Sequence, residues 1–317
     1  NMINSNLIII TPVYEDAQVA TKLFKDIGEI YNNAYIVAVD DGSINHTLHS
    51  RYIEAAGLQG VVITLKKNVG HQRSIAIGLS YVSDNINNSC NIIIMDSDGE
   101  DTPTSIQALL KLLKSDNVDV VVAERKSRIE TLWFRFFYIV YKRMFRLLSG
   151  RKISFGNFMA IKSSSIKRLV AMQELWLHIA SCVLMSKLRI KEVALDRGKR
   201  YAGKGKTNFI GQVLHGFRAL MVFSEDVLVR VGMACASVAA LAILGGIAAV
   251  TLKIFGFATP GWFSVALGIL LLVFLQTGAL TLITLMLTGI VKSGTIVSIK
   301  YQDFIDTIHH TNSDHNG

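Results

Sequence analysis

The C-terminal third of the chain contains two long stretches without a charged residue, Val231–Leu252 and Ile254–Val291. The hydrocarbon core of a bilayer, about 30 Å thick, needs roughly 20 helical residues to be crossed, so the first stretch fits one span. The second is too long for one span, but Thr259-Pro260-Gly261 is a turn signal. We therefore predict two transmembrane helices, at about 227–255 and 262–291. A buried helical hairpin in a soluble protein is the alternative.

The distribution of cations predicts how this hairpin is oriented. Cytoplasmic flanks of membrane spans carry an excess of Lys and Arg. Only Lys253 lies near the predicted loop, whereas four cations flank the outer ends: Arg218, Arg230, Lys292 and Lys300. We therefore expect an integral protein of the inner (plasma) membrane, with the N-terminal body and both termini cytoplasmic. The N-terminus lacks a basic segment followed by a long apolar stretch, so no secretory signal is expected.

Composition narrows the class of protein further. Of the 317 residues, 50% are hydrophobic and 18% are charged, against about 25% charged residues in a typical soluble domain. Such hydrophobicity excludes a disordered chain. Three scattered cysteines make neither a disulfide framework nor a four-cysteine zinc site. The net charge of +9 leaves nucleic acid and anionic lipid as partners to be weighed.

Residues 1–200 show short apolar runs alternating with helical patterns. The predicted strands are Leu7–Thr11, Tyr35–Val39, Val61–Leu65, Asn91–Met95 and Asp119–Ala123. The predicted helices are Ala17–Tyr31, Thr47–Ala56, Gln72–Val82 and Thr104–Lys114. This alternation predicts an α/β fold with right-handed crossovers and a mostly parallel sheet. Ligands of such sheets bind beyond the carboxyl ends of the strands, so an enzyme should carry polar residues there.

Polar loops do follow all five predicted strands. They are Pro12–Asp16, Asp40–Ser43, Lys67–Gln72, Asp96–Asp101 and Glu124–Arg128. No Gly-x-Gly-x-x-Gly follows the first strand, and the chain contains no complete Gly-x-x-x-x-Gly-Lys-Ser/Thr phosphate loop. These absences argue against a dinucleotide-binding Rossmann domain and against a P-loop enzyme.

The loop after the fourth strand is the strongest candidate for a metal site. Asp96 and Asp98 are two residues apart, so in extended chain both side chains point the same way. With Glu100 they offer hard oxygen ligands suited to Mg²⁺ or Mn²⁺. A solvated acidic turn is the alternative. The Asp40–Ser43 loop is either an Asx turn or an acceptor pair for a nucleobase or ribose.

Taken together, these loops resemble the family 2 glycosyltransferases with a GT-A fold. Four motifs carry the resemblance: Pro12-Val13-Tyr14-Glu15-Asp16, Val39-Asp40-Asp41-Gly42-Ser43, Asn68-Val69-Gly70 followed by Ala76 and Gly78, and Asp96-Ser97-Asp98. Their order and spacing agree with the family across about the first 125 residues. The resemblance implies a GT-A catalytic domain and transfer of a sugar from a nucleotide sugar.

A GT-A domain followed by two closing transmembrane helices is similar to the polyisoprenyl-phosphate glycosyltransferases. That group includes dolichol-phosphate mannose synthases and bactoprenol-phosphate glucosyltransferases. The resemblance implies a metal-dependent, inverting transfer of a hexose to polyprenyl (undecaprenyl) phosphate, with a UDP-sugar favoured as donor. Related proteins with paired spans often form tetramers, which leaves a homo-oligomer open. The Gln-x-x-Arg-Trp motif of processive synthases is absent.

The resemblance also implies roles for individual residues. The nucleoside would be held by Pro12, Tyr14, Asp16 and Asp41, and the Mg²⁺ or Mn²⁺ ion by Asp96, Asp98 and Glu100. The acceptor phosphate would be held by Arg125 and Arg135, and the donor diphosphate by Arg200 and Lys206. Three positions depart from the family pattern: Asp16 replaces Glu, Glu100 replaces Gln, and Asn157 replaces an acidic residue. The last departure puts in doubt a base or metal role at that position.

Two further segments are predicted to lie at the membrane surface. Residues 131–149 carry seven aromatics and a basic stripe of Arg135, Lys142 and Arg146, which is typical of an interfacial helix. A core helix is the alternative. Residues 208–226 are a second candidate, preceded by a basic, glycine-containing segment at 197–207. That segment resembles the family's Arg-x-x-Gly-x-Ser-Lys loop, and a solvated linker is the alternative.

The predicted organisation therefore has four parts. They are a cytoplasmic GT-A catalytic domain over 1–207 that includes the 131–149 helix, an interface helix at 208–226, a transmembrane hairpin over 227–291, and a cytoplasmic tail at 292–317. Because the cations lie next to membrane-seeking segments, anionic lipid rather than nucleic acid is the expected charged partner. Two rival functions stay open: a GT-A transferase with a diacylglycerol or glycan acceptor, and a non-catalytic membrane adaptor.

Overall fold

A computed structural model describes most of the chain. The described residues are 2–86, 89–125, 132–151, 155–201, 216–257, 261–293 and 299–311. They form two compact units, called here the sheet unit and the helical unit. The sheet unit comprises 1–130, 153–222 and 297–317, and the helical unit comprises 131–152 and 223–296. The chain therefore leaves the sheet unit twice and returns to it twice.

The sheet unit is built on an eight-stranded sheet. Its strands are β1 (Leu7–Val13), β2 (Tyr35–Asp40), β3 (Gln59–Leu65), β4 (Asn91–Ile94), β5 (Val120–Arg125), β6 (Phe155–Lys162), β7 (Ile190–Leu195) and β8 (Ile305–His310). Their order across the sheet is β7-β5-β6-β4-β1-β2-β3-β8. The neighbours of β6 and β8 pair antiparallel with them, and the other pairs are parallel. The sheet is therefore mostly parallel, as predicted.

Helices cover both faces of this sheet. They are α1 (Ala17–Ile30), α2 (Arg51–Glu54), α3 (His71–Asn85), α4 (Ile106–Leu113), α6 (Ser163–Val170) and α7 (Ile179–Met185), while α5 (Leu132–Ser149) belongs to the helical unit. On one face, α1 buries Leu23, Phe24 and Ile27, which share a stripe at helical spacing. On the other face, α3 buries Ile75 and Leu79. Covered on both faces, the central strands read as continuous apolar runs.

All five strands predicted from the sequence are present, and the structure adds three. The helix predicted at Thr47–Ala56 is shorter, with α2 covering only Arg51–Glu54. Strands β6 and β7 complete one side of the sheet. Strand β8 comes from the segment predicted to be a separate tail, and it pairs with β3, Ile308 lying opposite Ile63.

Further contacts hold the β8 segment in the sheet unit. The backbone N–H of Lys66 donates to the carbonyl of Phe304 at 2.9 Å, and the rings of Phe304 and Trp176 lie 5.8 Å apart. The Tyr301 hydroxyl donates to Asp84 at 2.9 Å. These contacts correct the predicted boundary at residue 207, because part of the 292–317 segment completes the eight-stranded sheet.

The helical unit contains two long apolar helices, α8 (Ser224–Ile254) and α9 (Trp262–Ser293). Each contains a stretch with a mean hydropathy of 2.2, and both are long and apolar enough to cross a membrane. Large apolar side chains on them face outward, with Leu272 at 67% and Met286 at 70% exposure. Outward apolar surface of this extent is what a lipid environment requires. The observed bounds lie within three residues of the predicted ones.

Both predicted interface segments are partly corrected. Helix α5 groups with the two long apolar helices rather than with the sheet unit, and Phe145 packs edge-on against Phe223 at 5.8 Å. Of the second segment, 208–215 lies outside the described residues. Residues 216–221 are helical and belong to the sheet unit, where the Ser181 hydroxyl donates to the Ala219 carbonyl at 3.2 Å.

Candidate active site

The loops after β1 and β2 are joined by a carboxylate. Glu15 accepts hydrogen bonds from the backbone N–H groups of Ile44 at 2.6 Å and His46 at 3.0 Å. These bonds, that of Ile44 foremost, lower the pKa of Glu15 because they stabilise its charged form. Glu15 has a positive φ of 48°, a sparsely populated conformation for a non-glycine residue. The sequence did not predict this contact, which fixes one loop to the other.

Two buried aspartates organise the second and third loops. Asp40 accepts from the backbone N–H groups of Ser43 at 3.0 Å and Leu48 at 2.9 Å. Asp41 accepts from Val69 at 2.7 Å and Gly70 at 3.0 Å. Burial raises the pKa of Asp41, and the backbone bonds oppose that effect. Asp41 therefore positions the third loop, and its predicted contact with the nucleoside stays a prediction.

The other predicted nucleoside residues belong to the same edge of the sheet. Pro12 is buried within β1, and Tyr14, directly after that strand, is 44% exposed. Asp16 is the residue that precedes α1 and is half-buried. An exposed tyrosine ring at the carboxyl end of a strand is available for stacking with a base.

In the acidic loop, carboxylates are paired with arginines. Arg200 Nη2 lies 2.5 Å from Asp98 Oδ2, and Arg200 Nε lies 3.5 Å from Glu100 Oε1. Arg197 Nη1 lies 2.7 Å from Glu100 Oε2. Burial raises the pKa of Asp98, as does the charge of Asp96, while the Glu100 N–H and Arg200 oppose them. The basic segment predicted to bind phosphate thus rests on the loop predicted to bind metal.

The donor set partly fits a divalent cation. Asp96 and Asp98 offer carboxylate oxygens on half-buried side chains, 25% and 20% exposed, which suit Mg²⁺ or Mn²⁺. Both oxygens of Glu100 face arginines, so its predicted role as a ligand finds no support in this geometry. Within the described ranges, no group of three or more His, Cys, Asp or Glu side chains could hold a metal ion. A two-carboxylate site completed by substrate phosphates is consistent with Mg²⁺ chemistry.

The basic segment is docked through its backbone and through Tyr201. The N–H of Gly198 donates to the Glu100 carbonyl and that of Tyr201 to the Asp98 carbonyl, both at 2.9 Å. The Tyr201 hydroxyl donates to Asp26 on α1, and burial with this bond raises the pKa of Tyr201. The sequence gave no signal for this pair, because its members are 175 residues apart.

The Tyr201 ring also depends on a glycine in the acidic loop. Gly99 has a φ of +84°, and a Cβ atom there would lie 2.6 Å from the Tyr201 ring. Glycine is therefore required at this position both for its backbone conformation and for the close approach of the ring. Lys22 Nζ covers the ring at 4.6 Å from its centroid.

Asn157, which stands where relatives have an acid, belongs to a chain of amide hydrogen bonds. The backbone N–H of Ile179 donates to Gln72 Oε1 at 2.8 Å, so Gln72 Nε2 is the donor to Asn157 Oδ1 at 3.1 Å. Asn157 Nδ2 then lies 2.8 Å from His71 Nε2. The same His71 Nε2 atom lies 3.2 Å from Asp96 Oδ1. The chain therefore links a buried helix start to the acidic loop.

The charge state of His71 reflects this position. Partial burial acts to lower the pKa of His71, but the carboxylates of Asp96, Asp41 and Asp101 raise it overall. His71 and Gln72 were not among the predicted site residues. Their place at the end of the third polar loop, where α3 begins, was the available signal.

The structure places the predicted acceptor residues Arg125 and Arg135 by their backbone. Arg125 ends β5 and Arg135 lies in α5, but the side chains of both are outside the described part. Lys206 also lies outside the described residues. Their assigned roles stay predictions.

This geometry, an α/β sheet with acidic and basic loops at one edge, defines a GT-A type enzyme, and sequence comparison identifies its family. The Glycosyl transferase family 2 profile matches residues 8–176, more than half of the chain. The chain belongs to glycosyl transferase family 2, whose members move sugars from nucleotide sugars.

Two relatives are similar over much of their length. Glycosyltransferase YkoT of Bacillus subtilis (strain 168) is 26% identical over 276 residues, covering 83% of this chain and 81% of that protein. Dodecaprenyl-phosphate galacturonate synthase of Rhizobium johnstonii is 24% identical over 216 residues, covering 63% of this chain and 61% of that protein. The second alignment thus spans less than two thirds of either protein.

Solved structures support the fold. The crystal structure of glucosyl-3-phosphoglycerate synthase from Mycobacterium tuberculosis in complex with phosphoglyceric acid has a TM-score of 0.50 and 13% sequence identity. The match covers 72% of this chain and 80% of that one, and the complex of the same enzyme with uridine-diphosphate gives the same values. The GT-A fold predicted from the sequence is confirmed.

Proposed function

We propose that this protein transfers a hexose from a nucleotide sugar, with a UDP-sugar favoured, to polyprenyl (undecaprenyl) phosphate at the cytoplasmic face of the inner membrane. The observation that carries the proposal is the docking of Arg197 and Arg200 on the acidic loop of a family 2 domain. Two candidate membrane spans in the same chain and the name of the Rhizobium relative support a lipid phosphate as acceptor.

The acidic and basic loops have complementary tasks with the donor. Asp96 and Asp98 would hold Mg²⁺ or Mn²⁺, which neutralises charge developing on a leaving diphosphate. Arg200 and Lys206 would bind the diphosphate oxygens, because a guanidinium can make paired hydrogen bonds to phosphate. Pro12, Tyr14, Asp16 and Asp41 would form the nucleoside side of the site.

The acceptor explains why an amide at position 157 is compatible with transfer. A sugar hydroxyl has a pKa far above neutral and needs a general base to attack. A phosphate monoester carries about −1.5 to −2 charges at pH 7, so it attacks directly when it is held in line. Arg125 and Arg135 are the proposed ligands of that phosphate. A single displacement of this kind inverts the configuration at the anomeric carbon.

The proposed orientation in the membrane follows from the positions of the cations along the sequence. Four cations flank the outer ends of the hairpin, which favours a cytoplasmic location for both. Anionic lipids would bind the basic α5 segment. A homo-oligomer, such as a tetramer, is the proposed assembly.

The decisive test is the formation of a glycolipid. Membranes containing the protein are incubated with undecaprenyl phosphate, Mn²⁺ and one labelled sugar nucleotide at a time. We expect butanol-extractable label with one donor, and a thermal-shift screen across nucleotide sugars identifies that donor first. Label in diacylglycerol or in a glycan would support the rival acceptors, and no product with any common donor would refute the proposal.

The variant Asp98→Asn tests the proposed metal ligand, because it preserves the shape of the side chain and removes its negative charge. We expect this variant to fold normally and to lose activity by a factor of about 100 or more, the scale of losing a main electrostatic contact to the transition state. Thermal unfolding checks the fold. Unchanged activity would contradict the role of Asp98.

A further inference from the structure

Arg200 is bound to the Asp98 carboxylate, one of the two groups that would hold a divalent cation. Asp98 Oδ1 accepts from the backbone N–H of Glu100 at 3.0 Å, and Asp98 Oδ2 lies 2.5 Å from Arg200 Nη2. Both oxygens of this carboxylate are therefore engaged. A cation that approaches Asp98 must compete with one of these partners, and the backbone donor belongs to the turn itself.

Hydrogen bonds hold the backbone on both sides of Arg200, so rotation of its side chain is the simplest way for it to exchange partners. Gly198 and Tyr201, on either side, both donate backbone hydrogen bonds to the acidic loop at 2.9 Å. The Tyr201 hydroxyl is bound to Asp26 on α1. The Arg200 side chain is 29% exposed, which leaves its guanidinium a path to solvent and to a ligand.

Arg197 is suited to remain in place while Arg200 moves. Its Nη1 lies 2.7 Å from Glu100 Oε2, whereas Arg200 reaches the other oxygen of Glu100 only at 3.5 Å. Glu100 is therefore neutralised mainly by Arg197. Asp98 is the carboxylate whose principal side-chain partner is Arg200.

We propose that Arg200 is an exchangeable counter-ion, which pairs with Asp98 in the free enzyme and moves to the donor diphosphate when Asp98 binds the divalent cation. The inference rests on the proposed function for its metal and its nucleotide donor. Arg200 gains a phosphate partner as it leaves a carboxylate, so its charge stays paired in both states. Because binding free energies are coupled reciprocally, the cation and the diphosphate should each strengthen binding of the other.

If Arg200 exchanges partners in this way, a single substitution should change the affinities for Mn²⁺ and for UDP in opposite directions. In Arg200→Gln, Mn²⁺ alone should bind more tightly, by about fivefold or more, the lower end of typical coupling between sites. UDP should bind more weakly to the same variant at saturating Mn²⁺, because its diphosphate lacks the guanidinium. A residue that merely supports the fold would weaken both.

The experiment uses the full-length protein in detergent. Mn²⁺ binding is measured with and without UDP by following the free ion with electron paramagnetic resonance. UDP binding is measured by calorimetry at saturating Mn²⁺. Arg200→Lys keeps the positive charge and should bind Mn²⁺ alone as the wild type does. Arg189→Gln removes a cation that is paired with Asp119 instead, and should change neither affinity.

Wild-type protein alone also tests the exchange, in case Arg200→Gln does not fold. UDP should tighten Mn²⁺ binding by about fivefold or more, and independent binding would overturn the proposal. Unchanged or weaker Mn²⁺ binding by a folded Arg200→Gln would overturn it too. If Mn²⁺ fails to bind even with UDP, the proposed metal site falls with it. Opposite shifts without any glycolipid product would support the exchange and refute only the proposed acceptor.

Discussion

At the scale of single residues, the amide chain through Asn157 shows what local spacing cannot reveal. Asn157 contacts Gln72 across 85 residues of sequence, and Gln72 contacts Ile179 across 107. Asp96 and Asp98 could be predicted because they lie in one short polar loop that directly follows a buried strand, although the loop turns at residues 97–98 rather than staying extended. The amide chain could not be predicted, because it exists only after α3, β6 and α7 have packed together.

We expect Asn157→Ala to destabilise the sheet unit. The substitution leaves the Nε2 of Gln72, a residue 4% exposed, without its acceptor, and an unsatisfied buried group costs about 1–3 kcal/mol. Thermal unfolding in detergent should show a lower midpoint. Asn45→Ala, at an exposed loop position, is the control and should leave the midpoint nearly unchanged. Equal midpoints for both variants would contradict the importance of the chain.

Gly99 offers a second test at this scale. An alanine there must adopt a φ of +84° and displace the Tyr201 ring. The control is Gly57→Ala, which also requires a positive φ, of +71°, but places no atom within 4 Å of the new Cβ. The conformational cost of a positive φ is about 1–2 kcal/mol. We expect Gly99→Ala to weaken UDP binding and Gly57→Ala to leave it unchanged, as measured by calorimetry. Equal UDP affinities would show that the Tyr201 contact does not position the basic segment.

At the scale of elements, an uninterrupted apolar run decided which strands could be predicted. Strand β6 is buried, but Gly156 and Asn157 interrupt its apolar sequence. β1 to β4 are apolar runs enclosed on both faces, so the sequence marks them clearly. β7 reads Ile-Lys-Glu-Val-Ala-Leu and is largely exposed, and β8 contains Asp306 and two histidines. Neither has the continuous apolar character of a buried strand, and β8 is separated from its partner β3 by the membrane hairpin.

The starts of β5 and β7 are joined by an ion pair that should make stability depend on pH. Arg189 binds Asp119 through Nε at 2.9 Å and Nη2 at 2.6 Å, and this bonding lowers the pKa of Asp119 to about 2. The unfolded-state pKa is about 3.9. Because the folded-state value is depressed, the stabilisation is fully present above pH of about 4 and is lost as the pH falls towards 2.

We therefore expect Asp119→Asn to lower the thermal midpoint at pH 7, and the difference from wild type to shrink between pH 4 and pH 2. Both proteins are compared by differential scanning calorimetry at matched ionic strength. Asp116→Asn, an exposed position nearby, controls for the loss of one negative charge. A difference that stays constant over this pH range would contradict the ion-pair explanation.

At the scale of the whole molecule, the sequence predicted the helices and strands better than it predicted which compact unit each of them joins. The GT-A sheet and two apolar helices were predicted from motifs and hydropathy. The assignment of α5 to the helical unit and of β8 to the sheet unit depends on contacts across the chain. The chain segments before and after the two long apolar helices both belong to the sheet unit, which is the arrangement that the predicted same-side topology requires.

Cysteine labelling in intact cells tests this topology. In a Cys235→Ser background, the remaining Cys90 and Cys182 are buried. A membrane-impermeant maleimide should label Phe257→Cys, a residue 78% exposed between the two helices. It should label Met2→Cys and Thr307→Cys only after the cells are opened. Labelling of Thr307→Cys in intact cells would contradict the predicted orientation.

The late position of β8 in the chain has a consequence for biosynthesis. The ribosome must deliver both hydrophobic helices before the segment that covers the edge of β3 exists. Until then the sheet presents an open strand edge, the kind of surface that can pair with another chain and promote aggregation. The native sheet is therefore completed only after the hairpin has been synthesised, so a finished sheet requires that both long apolar helices have already been made.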